Sequence, residues 1–100
     1  MTLREKQSKF TLMVSKLIQW AYDQGYELTF GDAYARIGHI PNSLHYSRLA
    51  IDLNLFKDGK WLNKTEDHMP LGEYWESIGG SWGGRFRDGN HYSLEHYGRK

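Results

Sequence analysis

From Leu49 to Phe56 apolar and polar residues alternate strictly. Leu49, Ile51, Leu53 and Leu55 fall on one face, and Ala50, Asp52 and Asn54 fall on the other. A two-residue period of this kind belongs to a strand with one face in a core and one face open. The chain must therefore cover the leucine face with another layer, while Asp52 points away from the core. Lys57-Asp58-Gly59-Lys60 follows with Asp-Gly at its centre, and Trp61-Leu62 begins a return strand. Asp-Gly between apolar runs is a hairpin signal, since both residues tolerate the positive φ that tight hairpin turns demand.

The covering layers are legible on either side. Thr2 followed by Glu5 makes a capping box, and Phe10, Met13, Val14, Leu17, Ile18 and Ala21 recur at helical spacing until Gly25 offers a stop. That predicts a first helix of roughly five turns. Tyr26 to Tyr34 reads as extended, ahead of a loop around Gly38, Pro41 and Asn42 that leads into His45. Pro70 opens a second helix carrying Leu71, Tyr74, Trp75 and Ile78, which ends at Gly79-Gly80. The glycine-rich stretch from Ser81 to Asn90 reads as a shaped loop, His91 to His96 as a final strand, and residues 97–100 as a tail. The expected architecture is α+β: a small, mostly antiparallel sheet packed against the N-terminal helix and the second helix. A chain of 100 residues rarely divides into two cores, so one domain over residues 1–100 is expected.

Composition removes several functions. With no cysteine, disulfide frameworks, thiol nucleophiles and cysteine zinc sites are excluded, and folding in a reducing compartment is consistent. The first ten residues are charged, and no run of 18 apolar residues occurs, so neither a signal peptide nor a membrane span is expected. Thirteen basic against twelve acidic residues leave a formal net charge of +1, too little to draw nucleic acid or an anionic membrane.

A metal site in such a chain must use histidine and carboxylates, and catalytic zinc takes three protein ligands and keeps one open position. Five histidines are available: His39, His45, His68, His91 and His96. A loop histidine at 45 and an outward strand aspartate at 52 can face one cleft, and His91 can close it from the last strand. The His-x6-Asp spacing alone is common; the flanking residues carry more.

Ser43-Leu-His45-Tyr-Ser-Arg-Leu-Ala50-Ile-Asp52 resembles the S-x-H-x-x-x-x-A-x-D motif of zinc D-alanyl-D-alanine carboxypeptidases and phage L-alanyl-D-glutamate endopeptidases. Trp82-Gly-Gly-Arg-Phe-Arg-Asp88-Gly-Asn-His91 resembles the closing W-G-G-x-F-x-D-x-x-H segment of the same family. The two blocks stand in the family's order, and the likeness runs from about Phe30 to His96, including a stretch from Leu49 to Lys60 that resembles phage-encoded members. It implies the family's fold and one zinc ion held by His45, Asp52 and His91. Asp88 is then the general base and acid, taking a proton from the attacking water and passing it to the leaving amine.

Gly31-Asp-Ala-Tyr-Ala-Arg36 resembles the family's G-x-A-Y-R region, offset by one residue. Arg36 is therefore a candidate for contact with substrate or the tetrahedral intermediate, with Arg48 and Arg85 as alternatives. Two departures stand out: Arg48 where many relatives have glycine, and Asp88 where many have glutamate. Endopeptidase-type relatives share the aspartate, and the segment between Arg36 and Ser43 is short, which implies a more open groove.

The other residues read more plainly. His39 and His68 are expected at the surface, Glu95-His96 as structural or surface, and Ser43 as a hydroxyl that orients a metal-site group. Trp75 and Tyr92 are expected in the core, while Trp82 is evenly balanced between core and cleft. Gly83 and Gly84 are expected to permit close backbone approach or positive φ.

The resemblance implies a peptidoglycan peptidase of the phage endolysin type, a monomer that cuts stem peptides at the L-Ala-D-Glu bond. It is expected in the cytoplasm of an infected bacterium, reaching the wall through a separate pore. D-Ala-D-Ala carboxypeptidase activity is the close alternative. A non-catalytic zinc module that binds wall peptide or a protein partner is the reading from another class.

Overall fold

The computed structural model describes residues 1–32 and 47–96. Helix α1 (Leu3–Asp23) starts at the capping box: Thr2 Oγ1 accepts from the Glu5 amide at 3.1 Å, and Glu5 accepts from the Thr2 amide at 3.0 Å. It ends just before Gly25, whose φ of +88° suits glycine. Five strands follow: β1 (Glu27–Phe30), β2 (Ala50–Lys57), β3 (Lys60–Leu62), β4 (Ser81–Trp82) and β5 (His91–Ser93). Helix α2 (Met69–Ser77) lies between β3 and β4. Single 3-10 turns at Thr65–His68 and Gly83–Phe86 lead into α2 and toward β5.

The sheet is antiparallel in every pairing, ordered β1-β2-β5-β4, with β3 also on β2. Strand β1 pairs with Leu53 to Phe56, and β3 pairs with Leu55 to Lys57. Because both pair Leu55 and Phe56, they occupy opposite edges of β2. Strand β5 pairs with Ala50 to Asp52, while Gly31 and Asp32 continue the β1 side by bonding the Asp52 backbone at 2.7 Å each. Strands β3 and β5 thus share one edge of β2 and leave a gap beside Leu53 and Asn54. Only the Leu53 amide crosses there, donating to Asn90 O at 2.9 Å.

The apolar stripe of α1 (Phe10, Met13, Val14, Leu17, Ala21) is buried with Ile51, Leu53 and Leu55 of β2, Tyr92 of β5, and Leu71 and Trp75 of α2. Trp75 is its centre. Its ring meets Phe10 and Tyr92 edge-on at 5.8 and 6.0 Å, and its Nε1–H donates to Ser93 O at 2.9 Å. Trp20 stacks on Tyr74 at 5.0 Å, joining the two helices at the rim. Gln7 Nε2 donates to Ser47 O at 2.9 Å, which ties α1 to the approach to β2. Among the described residues no helix is long and apolar enough to cross a membrane.

The α+β expectation is met. The Asp58-Gly59 turn has φ of +53° and +78°, as a tight hairpin requires. Three boundaries differ from the sequence reading. The extended stretch from Tyr26 contributes a strand at Glu27–Phe30, and residues 33 and 34 lie outside the described residues. The expected loop from Ser81 to Asn90 contains β4 and a 3-10 turn, because Trp82 is drawn into the core and pairs with Tyr92. The final strand stops at Ser93, short of His96.

Candidate active site

Asp52 and His91 are register partners on β2 and β5. Side chains directly opposite on an antiparallel pair share a face, and His91 Nδ1 lies 3.5 Å from Asp52 Oδ1. Asp52 Oδ1 and His91 Nε2 are both shielded from solvent. The alternation that sends Ile51, Leu53 and Leu55 inward turns Asp52 to the open face, although Ala50 on that face is buried too.

Asp88 joins the pair from the turn before β5, its Oδ2 3.9 Å from the same His91 Nδ1. The loop that carries it is held at both ends. The Asp88 amide donates to Gly83 O at 2.8 Å, and the His91 amide donates to Asp88 O at 3.1 Å. A Cβ on Gly83 would come within 2.2 Å of Asp88 O and 2.7 Å of the His91 Cβ, so the loop closes this tightly only on glycine. The expectation for Gly83 and Gly84 is met as close approach: a Cβ on Gly84 would strike the Trp82 ring at 2.2 Å. Trp82 is buried and belongs to the core, its Nε1–H donating to Gly89 O at 2.8 Å. Phe86 tilts against the His91 ring at 5.9 Å.

The donor pair suits zinc in type and spacing. Carboxylate oxygen and imidazole nitrogen are ordinary zinc ligands, and two ligands at about 2.0–2.1 Å from one tetrahedral ion stand about 3.4 Å apart. The observed 3.5 Å between Asp52 Oδ1 and His91 Nδ1 is close to that edge. Among the described residues no three such side chains form a metal-holding set. Asp88 therefore stands beside the pair rather than as its third member. His45 lies outside the described residues, as do Arg36, His39 and Ser43.

Two arginines named as alternatives to Arg36 are described. Arg85 is committed elsewhere: its guanidinium bonds Glu76 of α2 in a two-pronged pair at 2.9 and 2.7 Å and lies over the Trp82 ring at 5.2 Å. That contact holds the Glu76 carboxyl below its ordinary range. Arg48 precedes β2 with φ of +58°, left-handed backbone that glycine adopts without strain.

The sequence reading of His68 as a surface residue is corrected. His68 is 2% exposed, and its Nδ1 lies 2.8 Å from the Tyr92 hydroxyl. Burial lowers the imidazole from its usual value and pushes the Tyr92 phenol far up. Neutral His68 and the protonated Tyr92 hydroxyl therefore share one hydrogen bond, in either direction according to the imidazole tautomer. A signal existed in the alternation of β5: with His91 outward, Tyr92 must point inward, and a buried phenol needs a partner. Nothing local identified that partner, 24 residues away. His96 is also buried, with Nδ1 3.0 Å from Lys6 Nζ.

A cleft of about 200 Å³ opens in the gap between β3 and β5, lined in part by Asn54, Trp61, His68, Arg87 and Asp88. Asp88 is on the wall of this cleft, whereas Asp52 and His91 are not among its lining residues.

No curated protein matches the chain. Residues 37–94 match the family described as D-alanyl-D-alanine carboxypeptidase. The matched segment includes His45, Asp52, Asp88 and His91, begins one residue after Arg36, and leaves α1 and β1 outside. Since the match covers more than half of the residues, the chain belongs to the D-alanyl-D-alanine carboxypeptidase family, peptidases that act on peptidoglycan peptides.

Proposed function

We propose that the chain is a zinc-dependent hydrolase of peptidoglycan stem peptides in which His45, Asp52 and His91 hold one zinc ion and Asp88 moves the proton. The observation that carries this reading is the convergence on His91 Nδ1 of Asp52 Oδ1 at 3.5 Å and Asp88 Oδ2 at 3.9 Å. Zinc, when bound, supplies a water of lowered pKa and polarises the scissile carbonyl.

The chain's own residues do the rest. Asp52 and His91 present an oxygen and a nitrogen donor from paired strands, so their spacing is set by backbone hydrogen bonds rather than by flexible loops. The Asp88 side chain is about half exposed, and Asp88 is among the residues that line the cleft. There it takes a proton from the attacking water and delivers it to the amine that leaves, the transfer that makes amide cleavage feasible near neutral pH. Arg36 is assigned to substrate or to the oxyanion, since Arg85 is held by Glu76.

The bond we propose is L-Ala-D-Glu, as in a phage endolysin. The resemblance of Leu49 to Lys60 to phage-encoded members supports it, as does aspartate at position 88. A monomer made in the bacterial cytoplasm and released through a separate pore completes this reading. The family match favours a second bond, the terminal D-Ala-D-Ala.

The test is release of amino groups from purified peptidoglycan by zinc-loaded protein and by Asp88→Ala, with metal content measured in both and the released termini identified. Release by wild type alone, with zinc in both, is expected. New N-terminal D-glutamate marks the endopeptidase, and free D-alanine the carboxypeptidase. Bound zinc with no release would instead mean a module that binds wall peptide or a partner.

A further inference from the structure

Arg87 sits at the C-cap of the Gly83–Phe86 turn with φ of +64°, in the left-handed region where glycine rests without strain. A large side chain held in such a conformation is found where something else requires it. Arg87 lines the cleft together with its neighbour Asp88, and among the described residues it makes no ion pair. Arg85, two positions earlier, contrasts with it, being bound to Glu76.

The wall that carries Arg87 is rigid. Gly89 O accepts from Trp82 Nε1 at 2.8 Å, Asn90 O accepts from the Leu53 amide at 2.9 Å, and a Cβ on Gly89 would come within 2.5 Å of the Thr65 Cα. The rest of the lining offers neutral polar groups and one aromatic wall: Asn54, Asn63, His68 and Trp61. Trp61 is 60% exposed despite its size. His68 is neutral through burial, which leaves Arg87 as the cation of the cleft.

We propose that Arg87 anchors a substrate carboxylate and thereby selects which peptide bond is presented to Asp88. A guanidinium fork matches a carboxylate with two parallel N–H···O bonds, and a neighbouring acid that repels the same carboxylate keeps it off the base. Arg87 and Asp88 are consecutive residues on the wall of the same cleft, so an anchored carboxylate and the bond presented to Asp88 share that cleft. A stem peptide carries such a carboxylate in two places, on D-glutamate and at the terminal D-alanine. The identity of this ligand rests on the peptidase reading; the anchor itself rests on the cleft.

The test uses the pentapeptide L-Ala-γ-D-Glu-L-Lys-D-Ala-D-Ala and two versions, one amidated at the D-glutamate α-carboxylate and one at the C-terminus. Binding to the chain held in a metal chelator is measured by calorimetry, for wild type, Arg87→Asn and Arg87→Lys. Asparagine tolerates positive φ, so that variant removes the charge while keeping the backbone. Wild type is expected to bind the peptide about tenfold more weakly once the anchored carboxylate is amidated. The asparagine variant is expected to bind all three alike, and the lysine variant to keep part of the preference. Which amide matters tells whether D-glutamate or the terminus is held. Equal binding of all three by wild type, no binding by wild type, or a preference retained by Arg87→Asn would each overturn the proposal. Hydrolysis by the zinc-loaded wild type is scored separately: carboxylate preference without hydrolysis sinks the peptidase reading and leaves the anchor standing.

Discussion

Two neighbouring register pairs of the same two strands, Ile51 with Tyr92 and Asp52 with His91, have opposite fates. The first pair faces α1 and α2, where Tyr92 is fully buried and its hydroxyl is matched by His68. The second faces outward and gathers a carboxylate, an imidazole and a further carboxylate within 4 Å. On the inner face no buried side-chain nitrogen or oxygen among the described residues lacks a hydrogen-bond partner. On the outer face, Asp52 Oδ1 and His91 Nε2 are shielded from solvent, an arrangement that folding does not require. One residue of strand separates the part that stabilises the molecule from the part available for chemistry.

The sharpest way to break this division is on the outer face. Asp88→Ala is expected to lower the rate of peptide release by about 10²–10⁴-fold, the usual contribution of a general acid and base. It should change unfolding free energy by no more than about 0.5 kcal/mol, as for other half-exposed positions. A large loss of stability in urea titration would show that Asp88 holds the loop rather than serving the reaction. Trp75→Ala tests the opposite face. Removal of that ring is expected to cost about 3–5 kcal/mol in the same titration. A loss under 1 kcal/mol would mean that the core is not organised around it.

Tyr92→Phe is a finer cut, since it removes one oxygen and leaves the His68 nitrogen buried. The expected cost is about 1–3 kcal/mol, with amino-group release little changed because the hydroxyl points away from His91's face. Rate loss without stability loss would join the two faces that we separate. The smallest effect is a pH slope. His68 is lowered by burial, so below its ordinary value of 6.5 the unfolded chain binds the proton more readily than the folded one. Stability is then complete above pH 6.5 and declines as pH falls toward the lowered folded value, by at most about 1.4 kcal/mol per pH unit. His68→Gln should remove that part of the slope below pH 6.5, and an unchanged slope would assign it to other groups.

Much of this was legible in order along the chain. The capping box at Thr2 and Glu5, the Asp-Gly hairpin, the helix opening at Pro70 and the outward turn of Asp52 all follow from interactions between residues a few positions apart. Phe10, Met13, Val14, Leu17 and Ala21 are the buried stripe because a helix with that spacing has one face to bury. The burial of Trp82 was evenly balanced because glycines surround it, and glycines mark a loop as readily as the close packing of a ring. Only the ring's fit against Gly72 and Gly84 decides between them: a Cβ on either would fall 2.1 to 2.2 Å from it.

The fates of His68, His96 and Arg85 could not be read the same way. Each depends on a partner brought near by folding: Tyr92, Lys6 and Glu76 respectively. By itself the sequence determined the periods, caps and turns, and with them the face on which Asp52 stands, because those are set by backbone geometry over a few residues. The tertiary structure alone decided that β5 lies beside β2 in the register that puts His91 opposite Asp52. Strand pairing joins residues 39 apart in the chain through hydrogen bonds that any sequence can make, so only the packing of both faces selects it.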